Sequence, residues 1–212
     1  MVVPVMRARF ALLAATLAAA VMFPGDPMAY VANGPTWSVP QMRYFINTAN
    51  LDLPVLSVET AVRSGASVWD FQSAAFRFVY AGASSQTTTT NDGINLVLFR
   101  NASSGSAIAT TYWWSSGSRI IDSDTVFWDS AFRFFAGSSG CSAGFYIEDI
   151  AAHEFGHALG LGHSASTSAT MYPSVSSCNM GNRTLDADDI AGVRALYPSL
   201  VLSAPKGFRV VS

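Results

Sequence analysis

The sequence predicts an α+β domain built around one twisted sheet. Three observations carry that reading. Runs rich in β-branched and aromatic residues crowd the first two thirds of the chain, helical periodicity returns near its end, and clusters of Gly, Ser, Asn and Asp punctuate both. Strands first and the later helices last is the order expected of an α+β domain.

The elements follow in order. Arg7 and Arg9 head an uncharged run, 10–23, rich in Ala and Leu, and Ala18, Ala19 and Ala20 supply small side chains for cleavage. This is the pattern of a secretory signal peptide over 1–20, with cleavage after Ala29 as the alternative. The run falls short of the ~20 apolar residues that span a bilayer, which argues against an anchor. Residues 21–36 read as a leader or short pro-segment, with Pro and Gly and no periodicity. The domain, 37–198, opens near Trp37. A strand is expected over 42–47, then a helix over 55–69 with Val58, Val62, Ala66 and Trp69 on one face and Trp69 as a core anchor. Strands over 75–80 and 94–100 flank a polar surface loop, 81–91, and an Asp92-Gly93 turn. Two more strands, 108–114 and 119–128, precede a Gly/Ser-rich loop around Cys141; Ile121, Ser123, Thr125 and Phe127 share one face of the fifth. Glu148 and Asp149 open a helix that runs to Leu159, where acids complement the helix dipole. The last helix, 184–196, carries Asp186, Asp188 and Asp189 in its first turn, and 199–212 is a tail.

Composition limits the function classes. Apolar residues make up 50% of the 212-residue chain and charged residues 12%, enough to pack a core and too apolar for disorder. The formal net charge is -2 with no basic stripe, which removes the electrostatic basis for nucleic-acid binding. Cys141 and Cys178 are the two cysteines. In an exported protein one disulfide is the simplest account, worth roughly 3–4 kcal/mol less any strain, with two unpaired thiols as the alternative.

The chemistry concentrates in Ala152-His153-Glu154-Phe155-Gly156-His157-Ala158-Leu159-Gly160-Leu161-Gly162-His163. His153 and His157 are four residues apart, so a helix places both imidazoles on one face, where they can share one ion. Neutral imidazole suits zinc, and a catalytic zinc keeps a position open for water. Glu154, next to the first ligand, can reach that water as general base without being a ligand. Gly160 allows the chain to leave the helix at positive φ and deliver His163 as third ligand. The protein has three histidines and all fall in this segment, which makes coincidence a poor explanation.

This spacing, followed by Met171 in Ala169-Thr170-Met171-Tyr172-Pro173, resembles the metzincin metallopeptidases. Ser164 after the third histidine and the last helix, Leu185-Asp186-Ala187-Asp188-Asp189-Ile190 through Leu196-Tyr197-Pro198, resemble the matrixin branch. The resemblance implies the metzincin fold: a twisted five-stranded mixed sheet, an active-site helix, a Met-turn and a C-terminal helix. It implies a secreted zinc endopeptidase, a monomer, acting on extended protein or peptide segments, with no stable membrane insertion after signal cleavage. Substrate would pair with the 108–112 edge, Ile108 and Ala109 included, and Pro173, Ser174 and Val175 would stand at the specificity-pocket wall. Pro173-Ser174-Val175 departs from the family's usual Pro-x-Tyr pocket wall, and no Pro-Arg-Cys-Gly latency element occurs in the chain. Asp26 is a candidate latency ligand; a bland leader is the alternative. The tail 204–212 resembles the first strand of a fibronectin-type module but is too short to fold alone.

One zinc is expected rather than two. The position matching the family's fourth-strand ligand of a second zinc is Thr110, and 119–128 holds no histidine. Calcium is the other cation considered. Asp122, Asp124 and Asp92 offer hard oxygens, with surface solvation as their expected role. Two other classes compete with a peptidase. An inactive zinc-binding adhesion domain would have no use for Glu154, and a hydrolase of non-peptide substrates fits the flanking segments poorly.

Overall fold

The computed structural model describes residues 29–49 and 53–199. The signal segment, Asp26 and the tail from 200 onward lie outside the described residues. The chain starts with β1 (Val31–Ala32), β2 (Gln41–Asn47), α1 (Val55–Ser67), β3 (Arg77–Ala83) and β4 (Asn95–Arg100). It continues through β5 (Ala109–Ser116), β6 (Arg119–Trp128), β7 (Phe134–Phe135) and β8 (Phe145–Tyr146). Last come α2 (Ile147–Leu159), β9 (Leu161–Gly162), a 3-10 turn (Gly181–Arg183) and α3 (Ala187–Leu196).

Five strands form one mixed sheet in the order β3-β2-β4-β6-β5. The neighbours are parallel except β5, which runs antiparallel to β6 at the edge. Parallel strands covered on both faces read as near-continuous apolar runs, and β4 with its sequence NLVLFR is buried for five of its six residues. One face packs on α1 and α2. Tyr44, Phe78 and Phe155 meet edge-on there, with Phe155 centroids 5.0 and 4.7 Å from the other two. Trp69 is buried as a core anchor and donates its indole N–H to the Ala152 carbonyl (2.8 Å), tying the end of α1 to α2. Leu96, Leu98, Val126 and Trp128 make a smaller cluster on the other face.

Several boundaries differ from the sequence reading; α1 ends at Ser67 rather than 69, and the strand expected over 108–114 is Ala109–Ser116. The second strand starts at Arg77 rather than 75, because the Ala75 N–H donates to the Tyr197 carbonyl (2.8 Å) instead of to the sheet. The last helix starts at Ala187 rather than 184, because Asp186 is its N-cap and forms a capping box with Asp189. Residues 29–36, read as leader, are built into the domain. Here β1 pairs with β9, and the backbone N–H groups of Ala29 and Tyr30 donate to Asp188 Oδ1 at 2.7 and 2.9 Å.

Asp122 and Asp124 correct another expectation. Neither is solvated; both are fully buried. The reason is the segment leading into β4, whose Thr90, Asp92, Gly93 and Leu96 amides close over the two carboxylates. Asp124 accepts from the Thr90 and Leu96 N–H groups, both at 2.9 Å. Asp122 Oδ2 accepts from Asp92 and Gly93 at 2.7 and 2.8 Å. Burial pushes the Asp124 carboxyl up to about 6, while the bonds from Thr90 and Leu96 pull it back. These two acids therefore fasten the polar loop before β4 to the sheet. Asp124→Ala leaves two backbone donors without their acceptor and should lower unfolding free energy by on the order of 2 kcal/mol, read from urea denaturation. A midpoint equal to wild type would remove Asp124 as the anchor of that loop.

Candidate functional site

The site is assembled where α2 ends. Its C-cap Gly160 has φ of 102°, in the left-handed region, and its N–H donates to the His157 carbonyl (2.9 Å). A Cβ at residue 160 would also lie 2.7 Å from the Pro35 carbonyl oxygen, so the exit requires glycine on two counts. The chain turns through β9 and brings His163 back toward the helix.

His153 and His157, one turn apart on α2, have ring centroids 4.8 Å apart, and His163 lies 5.3 and 4.8 Å from them. One ligand atom from each of the three falls within 4.8 Å of the others. His153 Nδ1 donates to the Thr170 carbonyl at 2.7 Å and His157 Nδ1 to the Leu161 carbonyl at 2.8 Å. In the tautomers those carbonyls select, the Nε2 lone pairs remain free, and His157 Nε2 lies 3.2 Å from His163 Nε2. Burial lowers the pKa of all three, for His153 to about 4, so the rings are held in the neutral form that binds metal. Three neutral, convergent nitrogen donors with carbonyl-fixed tautomers fit a catalytic zinc.

Glu154 is buried beside the triad, and burial raises its carboxyl pKa. Its Oε2 accepts from the Thr111 hydroxyl at 2.7 Å, and Thr111 is 2.8 Å from the Thr125 hydroxyl. The acid is thus held from the sheet side by β5 and β6. Met171 is buried under α2. Gly156 makes room for it: a Cβ there would overlap the Met171 sulfur and lie 2.7 Å from Trp69 Cζ2. The turn carrying Met171 hangs on Asp189, whose carboxylate accepts from Thr170 N at 2.7 Å and Met171 N at 3.0 Å.

A cleft of about 610 Å³ runs across the triad. Ile108, Ala109, Thr111, Pro173, Ser174 and Val175 line it. Glu154, the three histidines, Phe145, Ile150 and Asn182 also line it. Gly160 and Met171 support the site from outside the cleft. Cys141 and Cys178 are joined in a disulfide with Cα atoms 5.6 Å apart.

A helix that carries two metal-facing imidazoles and an adjacent buried acid, and exits through glycine to a third imidazole, belongs to the metallopeptidases of the H-E-x-x-H class. Comparison with known proteins narrows the class to a family. The matrixin model matches residues 36–198, and this chain belongs to the matrixins, a family of zinc metalloendopeptidases. It is 32% identical to the hatching enzyme of Paracentrotus lividus over 182 residues, 82% of this chain and 28% of that protein. It is 30% identical to human matrilysin over 166 residues, 78% of this chain and 60% of that protein. Over a shorter stretch of 56 residues it is 46% identical to human neutrophil collagenase, covering 26% of this chain and 12% of the collagenase. The chain therefore spans less than two thirds of the length of these relatives.

Thr111 and Thr125 were not singled out from sequence. Strand alternation placed Thr125 on a face with Phe127, but nothing in the sequence says which side chain meets that face from α2. Thr111→Val keeps the shape and removes the donor to Glu154. The expected result is a loss in kcat of roughly 10-fold with zinc content unchanged, and recovery in Thr111→Ser. Unaltered kcat in Thr111→Val would show that Glu154 needs no support from β5.

Proposed function

We propose that this chain is a secreted zinc-dependent endopeptidase that hydrolyses peptide bonds in extended protein segments. The observation that carries the proposal is the convergence of three neutral imidazoles on one point next to a buried carboxylate, at the floor of an open cleft. His153, His157 and His163 would hold the ion. Zinc held there supplies a Lewis acid that lowers the pKa of bound water toward ~7.

The residues around it do the rest. Glu154 takes the proton of the attacking water as general base. It then passes that proton to the leaving amine, which departs only when protonated. Thr111 holds Oε2, so the carboxylate stays aimed at one place between the two transfers. β5 is an edge strand with the cleft alongside it, so an extended segment can add to the sheet by backbone pairing at Ile108 and Ala109. Pro173, Ser174 and Val175 form the opposing wall.

The disulfide favours export, because such bonds persist in oxidising compartments. Among the described residues no helix is long and apolar enough to cross a membrane. We infer a monomer with one zinc. Thr110, at the place of a second-zinc ligand, accepts instead from the Trp128 indole N–H at 3.0 Å. For calcium, the buried Asp122 and Asp124 leave one carboxylate oxygen without a hydrogen bond, Asp122 Oδ1. Carbonyls and water would have to supply the rest of the six to eight oxygens that calcium takes.

Glu154→Ala should retain zinc and fold while losing about 10²–10⁴-fold in kcat on a cleaved peptide. A rate near wild type would refute the general-base assignment. Metal analysis of dialysed protein should give about one zinc per chain, and His163→Ala should release most of it. A reproducible second zinc that survives loss of His163 would refute the single-site reading.

A further inference from the structure

We propose that the Cys141–Cys178 disulfide positions the cleft wall at 173–175 and so determines which substrate side chain the cleft accepts. The inference rests on the peptidase reading above. It concerns how the wall is held, a matter separate from the metal ligands.

The wall belongs to a segment fixed at both ends. At its start, Asp189 holds the Thr170 and Met171 amides. At its end, Cys178 is bonded to Cys141, and the Cys178 N–H donates to the Gly144 carbonyl at 2.8 Å. The Ser177 hydroxyl donates to the same carbonyl at 3.0 Å. Gly144 is itself pressed against the preceding segment. A Cβ there would overlap the Arg133 carbonyl oxygen and lie 2.7 Å from Phe135 Cε2. The next residue, Phe145, lines the cleft and packs edge-on against Phe132 at 5.7 Å. The bridge thus ties the Val175 side of the cleft to the Phe145 side.

Backbone conformation points the same way. Ala143 and Cys178 both have positive φ, 52° and 57°, which non-glycine residues rarely adopt. Such conformations persist where the surroundings over-determine them, and here they sit on the two strands of chain that the bridge joins. A further clamp follows at the 3-10 turn. Arg183 pairs with Asp149 (2.8 Å) and Glu148 (3.2 Å), and the Asn182 N–H donates to Asp149 Oδ1 at 3.1 Å. Asn182 and Ile150 line the cleft on either side of that clamp. The ionic clamp secures the turn to α2, while the disulfide and the two hydrogen bonds to the Gly144 carbonyl join the end of the wall segment to the chain that leads into Phe145.

The test uses the zinc-loaded full chain and a panel of peptides that differ only in the residue after the cut. kcat/KM is compared for wild type, for C141A/C178A, and for wild type assayed directly after reduction by a phosphine. Zinc content and thermal unfolding are read in parallel. The expected result is retained zinc and a change of at least about fivefold in the ratio of kcat/KM between small and bulky residues, carried by KM. A lower melting temperature with that ratio unchanged would overturn the proposal, because the bridge would then be a staple for stability alone. Global unfolding of both opened forms would overturn it too, because the bridge would then hold the domain and not the wall. If oxidised wild type cuts none of the peptides while holding zinc, the peptidase reading itself fails and this inference falls with it.

Discussion

The site depends on one buried carboxylate that never touches the cleft. Asp189 accepts three backbone N–H groups, from Asp186, Thr170 and Met171. The first bond closes the capping box of α3; the other two set the turn that carries Met171. From that turn the Thr170 carbonyl orients His153. Burying a carboxylate is costly unless the charge is met by donors, and burial does raise the pKa of Asp189 against the pull of those amides. Each amide is in turn a buried donor that needs an acceptor. Helix start, methionine turn and imidazole orientation are therefore one cooperative unit, and none of the three can move without leaving a buried polar group unpaired.

Asp188 extends the unit to the rest of the triad. Its Oδ1 receives the Ala29 and Tyr30 amides and its Oδ2 the Ser164 hydroxyl, directly after His163. The Ser164 N–H donates to the Met171 carbonyl at 2.8 Å, which links the same turn to the third histidine. The segment around residue 30 then pairs with β9, whose Leu161 carbonyl orients His157. Two adjacent acids in the first turn of α3 thus reach the supports of all three imidazoles. The helix dipole favours negative charge at that end, so the acids sit where a carboxylate is least costly.

How much of this was legible in the sequence varies with the range of the interaction. The five-stranded sheet, the faces of α1 and the exit at Gly160 rest on local pattern, and local pattern revealed them. The disulfide was legible from cysteine number and export together. Asp188 and Asp189 were visible as first-turn acids, but their partners outside the capping box lie 18 to 159 residues away. No local signal reports such pairs. Asp122 and Asp124 were misread for a related reason. Acids on a strand look like solvated surface until the segment that covers them is known, and the amides that meet these two lie 28 to 34 residues away. β1, β7, β8 and β9 are two residues long, below the length at which alternation carries information.

The two sides of the cleft are built on opposite principles. β5 is a sheet edge with eight residues aligned against β6, so its position is set by a long ladder of backbone pairs. A free edge invites pairing with any extended chain. On the proposed reading, that generality suits an endopeptidase, because backbone pairing is nearly blind to side chains. The opposite wall, 173–175, lies in no strand or helix; the chain is held by Asp189 before it and by the Cys178 disulfide after it, and Val175 packs against the core. Selectivity then has to come from this wall, since the ladder cannot supply it. A wall with no regular structure of its own can discriminate only if its ends are fixed. The two anchored points, Thr170–Met171 and Cys178, stand where the chain enters and leaves that segment, and both lie beyond the helix bearing His153 and His157.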